Sequence, residues 1–315
     1  MRILSIDGGG IRGIIPATVL AALEQRAGRP VSELFDLVAG TSTGGILALA
    51  LTAPAPGGGT PRWRAEQVVD LYRLEGPKIF RRSLGRRIVT ADGLLDERYP
   101  NGQLREALVR YLGDATVGQA LTPVLVTTYD LLNRRPRFFK SWREDADVPM
   151  ALAAEATSAA PTYFEPVLVD GAPLVDGGVF AGTPAMCAYA EARRLDPGGP
   201  PDLVVSLGTG SQTRPITYEQ ARGWGVLEWA RPIVDVVFDG SSDTVDYQLD
   251  QLLGDRHHRL QPVLTTASDD LDDADPANIA ALEATARRLV AEHGDELDAL
   301  AAELSAPEPP SPEAI

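Results

Sequence analysis

The chain has 315 residues, 44% of them hydrophobic and 23% charged, an ordinary composition for a globular protein. Its net charge of −15 argues against a nucleic-acid polymer as partner, which needs a face of Lys and Arg against phosphate. The same charge argues against broad docking on anionic membranes, and the single cysteine, Cys187, excludes an internal disulfide.

Arg2 to Ile6 is predicted as a short strand. It runs into Asp7-Gly8-Gly9-Gly10-Ile11-Arg12-Gly13 and then a helix carrying Ile14, Val19, Leu20 and Leu23, with Pro16 in its first turn. The acid and glycines follow so closely that no signal-peptide apolar region fits before them. Three glycines at a helix start leave bare N–H groups that suit an anion, either a phosphate or the oxyanion of acyl transfer. Gly8-x-Gly10-x-x-Gly13 also fits the dinucleotide fingerprint. That reading wants an acid at the end of the next strand, which here ends in Ala39-Gly40.

Phe35 to Ala39 reads as a buried strand, and Ile46 to Leu51 as the start of a buried helix. Between them lies Gly40-Thr41-Ser42-Thr43-Gly44-Gly45, a serine on a strand-to-helix turn with a glycine two residues to either side. This is the spacing of a nucleophile elbow, whose turn pushes the serine outward while the flanking backbones pass close together. The longest apolar run, Ile46 to Ala53, is far short of a membrane span, and a cytoplasmic protein is expected.

Pro54 to Pro61 is a flexible loop, and residues 65–75 look helical. Lys78 to Arg87 holds five cations and no acid, interleaved with Ile79, Phe80 and Leu84. It is either a solvated charged segment or a contact surface for phosphate head groups or an anionic regulator. Residues 101–112 read as a helix, Pro123 to Asp130 and Pro136 to Trp142 as strands, and Met150 to Ala160 as a small-residue helix ended by Pro161. Leu174-Val175-Asp176-Gly177-Gly178 places an acid at the end of an apolar strand, either as a plain Asp-Gly turn or as an acid held in an open turn.

Thr183 to Leu195 is predicted helical, Leu203 to Leu207 a buried strand ending in glycines, and residues 222–252 two helices. Arg259 to Leu264 reads as an edge strand. Ala267 to Asp275 is an acidic loop, and Pro276 to Leu304 has apolar residues at helical spacing. The boundaries that follow are 1–265 for one main domain, 266–304 for the acidic loop and a helix packed on it, and 305–315 for a disordered Pro/Glu-rich tail. Strands alternating with helices predict a three-layer α/β/α sandwich with a largely parallel central sheet.

A serine hydroxyl needs an adjacent base, most often histidine. The chain has only His257, His258 and His293. A triad of Ser42, Asp176 and His257 or His258 would keep the α/β-hydrolase chain order. The elbow lies very early for that fold, however, and Asp176-Gly177-Gly178 looks built to reach the serine itself.

Together these blocks make the chain resemble a patatin-like phospholipase. The matching blocks are Asp7 to Gly13, Gly40 to Gly44, Ala156-Thr157-Ser158-Ala159-Ala160-Pro161 and Asp176-Gly177-Gly178, with Ser206 to Gly210 similar, and the likeness runs over residues 1–265. The resemblance implies a Ser–Asp dyad without histidine: Ser42 as nucleophile, Asp176 as base, and the N–H groups of Gly8, Gly9 and Gly10 as the oxyanion hole. Arg12 would support that loop or meet a lipid phosphate, with Gly13, Gly40, Gly44, Gly177 and Gly178 as supporting positions. One departure is Gly182-Thr183, where many members have two asparagines. The expected substrate is a membrane lipid or related ester, met in transient contact at the inner membrane surface, with no metal or other cofactor. Similar bacterial enzymes include antiphage effectors switched on by cyclic nucleotides, so such an activator is a possible partner. The competing class is a lipid- or nucleotide-binding protein without hydrolase activity.

Overall fold

The structure is a computed structural model that describes residues 1–80, 99, 101–199, 201–211, 215–229 and 232–306. Among the described residues the strands are β1 (Arg2–Ile6), β2 (Leu37–Thr41), β3 (Val124–Asp130), β4 (Arg135–Lys140), β5 (Val167–Val169), β6 (Ala172–Asp176), β7 (Leu203–Leu207) and β8 (His257–Leu260). They form one sheet in the order β5-β6-β3-β2-β1-β7-β8, with β4 also paired to β3. The run from β3 to β8 is parallel throughout, while β4, β5 and β6 pair antiparallel. The predicted largely parallel sheet is therefore present, with an antiparallel flank on the β3 side.

Both faces of the sheet are covered. From β1 and β2, Leu4, Ile6 and Val38 join one core cluster, and Ile3, Leu37 and Ala39 join the other. The first cluster includes buried residues of helices Ile14–Ala27, Thr43–Thr52, Ala65–Ile79, Asn101–Leu112, Met150–Thr157, Pro276–Glu292 and Gly294–Ser305. The second is closed by Ala185–Leu195 and the long helix Pro232–Leu253. A strand covered on both sides tends to read as a mostly apolar run rather than an alternating one, as Leu37-Val38-Ala39 of β2 and Leu203-Val204-Val205 of β7 do.

Several boundaries differ from the sequence reading. The last strand is β8, starting at His257 rather than Arg259. The segment read as one helix from Pro276 is two, broken at His293-Gly294, and both pack on helix Ile14–Ala27. Apolar spacing continues across the break, but glycine is a poor helix interior residue and here starts a new helix. Among the described residues, no helix is long and apolar enough to cross a membrane. Of the cationic segment, Lys78 pairs with Glu75, and Phe80 packs on Tyr99 and Phe164. Arg81, Arg82, Arg86 and Arg87 lie outside the described residues, as does the tail beyond residue 306.

Candidate active site

Strand β2 delivers Ser42 directly into helix Thr43–Thr52, as the elbow spacing predicts. Ser42 sits at φ 55 and ψ −125, a backbone region sparsely populated by side-chain-bearing residues. Holding it there costs roughly 1–3 kcal/mol, which the surroundings must offset. The flanking glycines make the turn possible. A Cβ on Gly40 would lie 2.1 Å from the Gly44 carbonyl oxygen, and one on Gly44 would lie 2.1 Å from that of Ile6.

Sheet register brings Asp176 to the serine. Strand β2 runs parallel to β3 and ends with Thr41 opposite Thr127. Strand β6 pairs antiparallel with the next part of β3 and ends with Asp176 opposite Thr128. Two strands thus meet end to end against consecutive β3 residues, and their tips carry the serine and the acid. Asp176 is 1% exposed. Its Oδ1 accepts the Gly178 N–H at 2.7 Å. The Ser42 hydroxyl stands close enough to favour the ionised carboxylate, yet Oδ2 completes no hydrogen bond of good geometry. Burial dominates, and the pKa is pushed up from 3.8 to about 7. A model-peptide carboxylate is a weak base; this one is matched to neutral pH.

The glycine loop follows β1. Gly10 has φ +56, and a Cβ there would meet the Leu271 carbonyl oxygen at 2.1 Å; the same carbonyl accepts the Ile11 N–H at 2.9 Å. The acidic loop around Leu271 is therefore part of the site's frame. No hydrogen bond engages the Gly9 or Gly10 N–H among the described residues. Gly8 is different, because its N–H donates to the Gly182 carbonyl at 2.9 Å. Gly8, the third expected oxyanion donor, here ties the loop to the segment after Asp176. Gly182 supplies that carbonyl, and the Thr183 and Ser242 hydroxyls share a bond of 2.8 Å, so this stretch is held without the family's two asparagines.

Arg12 is buried, and its guanidinium donates to the Gly9 and Gly210 carbonyls at 3.3 Å each, which makes it a brace of the loop. Gly13 packs where a Cβ would strike Thr43 Oγ1 and the Tyr72 hydroxyl. Gly177 packs against Thr127, and Gly178 against the Phe238 ring. Asp7 accepts from Arg259 of β8 at 2.6 Å; burial raises its pKa while Arg259 opposes the rise. The motif reading missed Phe238, Arg259 and Leu271. All three come from the C-terminal third and carry no local signature.

Ser42, Asp176, Gly9 and Gly10 line one almost wholly apolar cavity, walled by Ile46, Leu71, Ile79, Leu104, Leu108 and Phe238 among others. The histidines are engaged elsewhere: His257 with Asp250, and His258 and His293 with Glu296. None of them lines this cavity. Among the described residues, Asp246, Asp250 and His257 have the spacing to hold a cation, with ligand atoms within 4.8 Å of one another. They too lie outside the cavity.

A strand–serine–helix elbow, a buried carboxylate and a glycine loop on a doubly covered sheet define an α/β acyl hydrolase. The chain belongs to the patatin-like phospholipase family, whose model matches residues 4–189. It is 33% identical to patatin-like protein 2 of Arabidopsis thaliana over 94% of this chain and 82% of that one. It is also 33% identical to patatin group J-1 of Solanum tuberosum, over 90% and 81%. The crystal structure of VipD from Legionella pneumophila aligns over 93% of this chain and 67% of that one, at 12% identity and a TM-score of 0.38, too loose a likeness to carry weight. By family, the protein is a lipid acyl hydrolase.

Proposed function

We propose that the protein cleaves carboxylic esters of membrane lipids by acyl transfer to Ser42, with Asp176 as the only base. The observation that carries this reading is the convergence of Ser42, Asp176 and two free glycine amides on one apolar cavity. The cavity suits an acyl chain, and the scissile carbonyl would sit at its polar end.

The Ser42 hydroxyl gives its proton to Asp176 while Oγ bonds the carbonyl carbon. The oxygen that becomes negative accepts from the Gly9 and Gly10 N–H groups, each worth about 3 kcal/mol in such a role. The positive end of helix Thr43–Thr52 adds to that field. As the ester C–O bond breaks, Asp176 returns the proton to the leaving alcohol. Asp176 then takes a proton from water, hydroxide adds to the acyl carbon, and collapse returns the proton to Ser42 as the fatty acid leaves. With its pKa near 7, the carboxyl can both accept and release the proton at neutral pH. Every step balances without metal or nicotinamide, and activity is expected to survive EDTA.

The test is product analysis by mass spectrometry on mixed phospholipids, with the Ser42→Ala protein as control. Release of free fatty acid and lysolipid by the parent protein alone is expected. Equal release by the Ser42→Ala protein would overturn the reading. Running the same mixture with and without a cyclic dinucleotide tests the regulated-effector reading, which rests on sequence resemblance alone. Transient contact at the inner membrane surface follows from the substrate, and vesicle flotation measures it.

A further inference from the structure

The Ala156 to Pro161 block has no assigned task, although it lies beside both reactive side chains. Helix Met150–Thr157 ends there. The Thr157 hydroxyl is fully buried, accepts the Ser42 N–H at 2.9 Å and donates to the Thr127 carbonyl at 2.6 Å. Two residues on, the Ala159 carbonyl accepts the Asp176 N–H at 3.0 Å. One short segment therefore grips the backbone of both members of the dyad.

The rest of the neighbourhood is built around this grip. Thr127 is the β3 residue opposite Thr41, and its own hydroxyl bonds Thr41 Oγ1 at 2.7 Å, which in turn donates to the Ala181 carbonyl. Gly45 is outside the five-residue elbow spacing, yet a Cβ there would lie 2.8 Å from the Thr157 methyl. A side chain at that position would push Thr157 off the serine.

We propose that Thr157 is the positioning residue that holds the Ser42 elbow in register with Asp176, through a hydroxyl that accepts from one strand tip and donates to the neighbouring strand. A strained turn relaxes unless its surroundings over-determine it, and the Ser42 N–H has this hydroxyl as its partner. The role needs simultaneous donor and acceptor, so serine can fill it and valine cannot. This inference rests on the Ser42–Asp176 reading.

The test is steady-state kinetics on p-nitrophenyl butyrate with the Thr157→Val, Thr157→Cys and Thr157→Ser proteins. Thr157→Val and Thr157→Cys are expected to lose about 30- to 100-fold in kcat with KM within about threefold, as small misplacements of reacting groups do. Thr157→Ser is expected to stay within about fivefold of the parent in kcat. The pH profile separates position from mere stability. If Ser42 swings away, the carboxylate loses the hydroxyl that favours its ionised form, so the acidic limb of kcat/KM moves to higher pH in Thr157→Val and stays put in Thr157→Ser.

Full kcat in Thr157→Val overturns the inference. So does a loss in Thr157→Ser equal to that in Thr157→Val, or an acidic limb unmoved by a large loss in kcat. Should the valine and cysteine proteins fail to fold, Thr157→Ser still decides, because a loss beyond about tenfold contradicts the hydroxyl's role. Turnover by Ser42→Ala would overturn the dyad instead. An inactive Ser42→Ala beside a fully active Thr157→Val would overturn only the clamp.

Discussion

Two cavities meet at the glycine loop. The one at Ser42 is apolar and is lined by Gly9, Gly10 and Asp176. The one behind the loop is polar, with Asp7, Gly8, Arg12, Asp239 and Asp243 in its lining. Phe238 belongs to both walls. Each holds a buried aspartate whose pKa burial raises, but the two are answered differently. Asp7 faces the Arg259 guanidinium, which opposes that rise. Asp176 is answered only by a hydroxyl and one backbone N–H. A carboxylate without a cation partner is the one that can give and take a proton near neutrality, whereas the paired one can serve as an anchor.

The most severe way to break this contrast is to remove the unpaired carboxylate. Asp176→Asn is expected to lower kcat by about 10³-fold or more, measured on a soluble ester. The parent's kcat/KM should rise with pH through about 7, because the base must be ionised. A profile flat from pH 5 to 8 would contradict the raised pKa.

On the polar side the expected damage is to folding. Arg259→Met leaves Asp7 buried without its cation and should cost about 3–5 kcal/mol in urea unfolding. Adding Asp7→Asn should recover part of that loss, since no buried charge then stands alone. An additive pair of losses would mean the two side chains are not coupled.

Asp176→Asn should also stabilise the fold at high pH, the opposite of its effect on turnover. The carboxyl titrates at 3.8 in its ordinary state and about 7 when folded, so its contribution is full below 3.8 and is lost as pH rises through 7. Asparagine lacks that loss. The variant's advantage should be on the order of 4 kcal/mol at pH 8 and shrink towards pH 4, by urea unfolding at both.

A smaller effect sharpens the apolar side. Ala107 lines the cavity and is buried. Ala107→Trp should shift preference from long towards short acyl esters by about tenfold, read as a ratio of kcat/KM values. Smallest of all, His257→Ala and His258→Ala should keep turnover within about threefold, because both rings bond acids outside the cavity. A loss as large as that of Ser42→Ala in a folded protein would restore a histidine triad.

What the sequence determined by itself is local. The elbow at Ser42, the presence of a helix after it and the turns at Gly8 to Gly10 follow from backbone constraints within a few residues, where a positive φ or a close approach admits few side chains. The apolar runs at Phe35 to Ala39 and Leu203 to Leu207 likewise announced buried strands. Only the tertiary structure decided which partners those local features meet. That Asp176 reaches Ser42 depends on two strands ending against consecutive residues of β3, a register that no motif encodes. That Gly8 is spent on Gly182, that Leu271 frames Gly10, and that Phe238 walls the cavity all depend on distant segments packing at the same point. The basicity of Asp176 is a property of its burial, and burial is a property of the whole fold. A residue type and its neighbours in the chain set what a group can do; desolvation and register, which are long-range, set what it does.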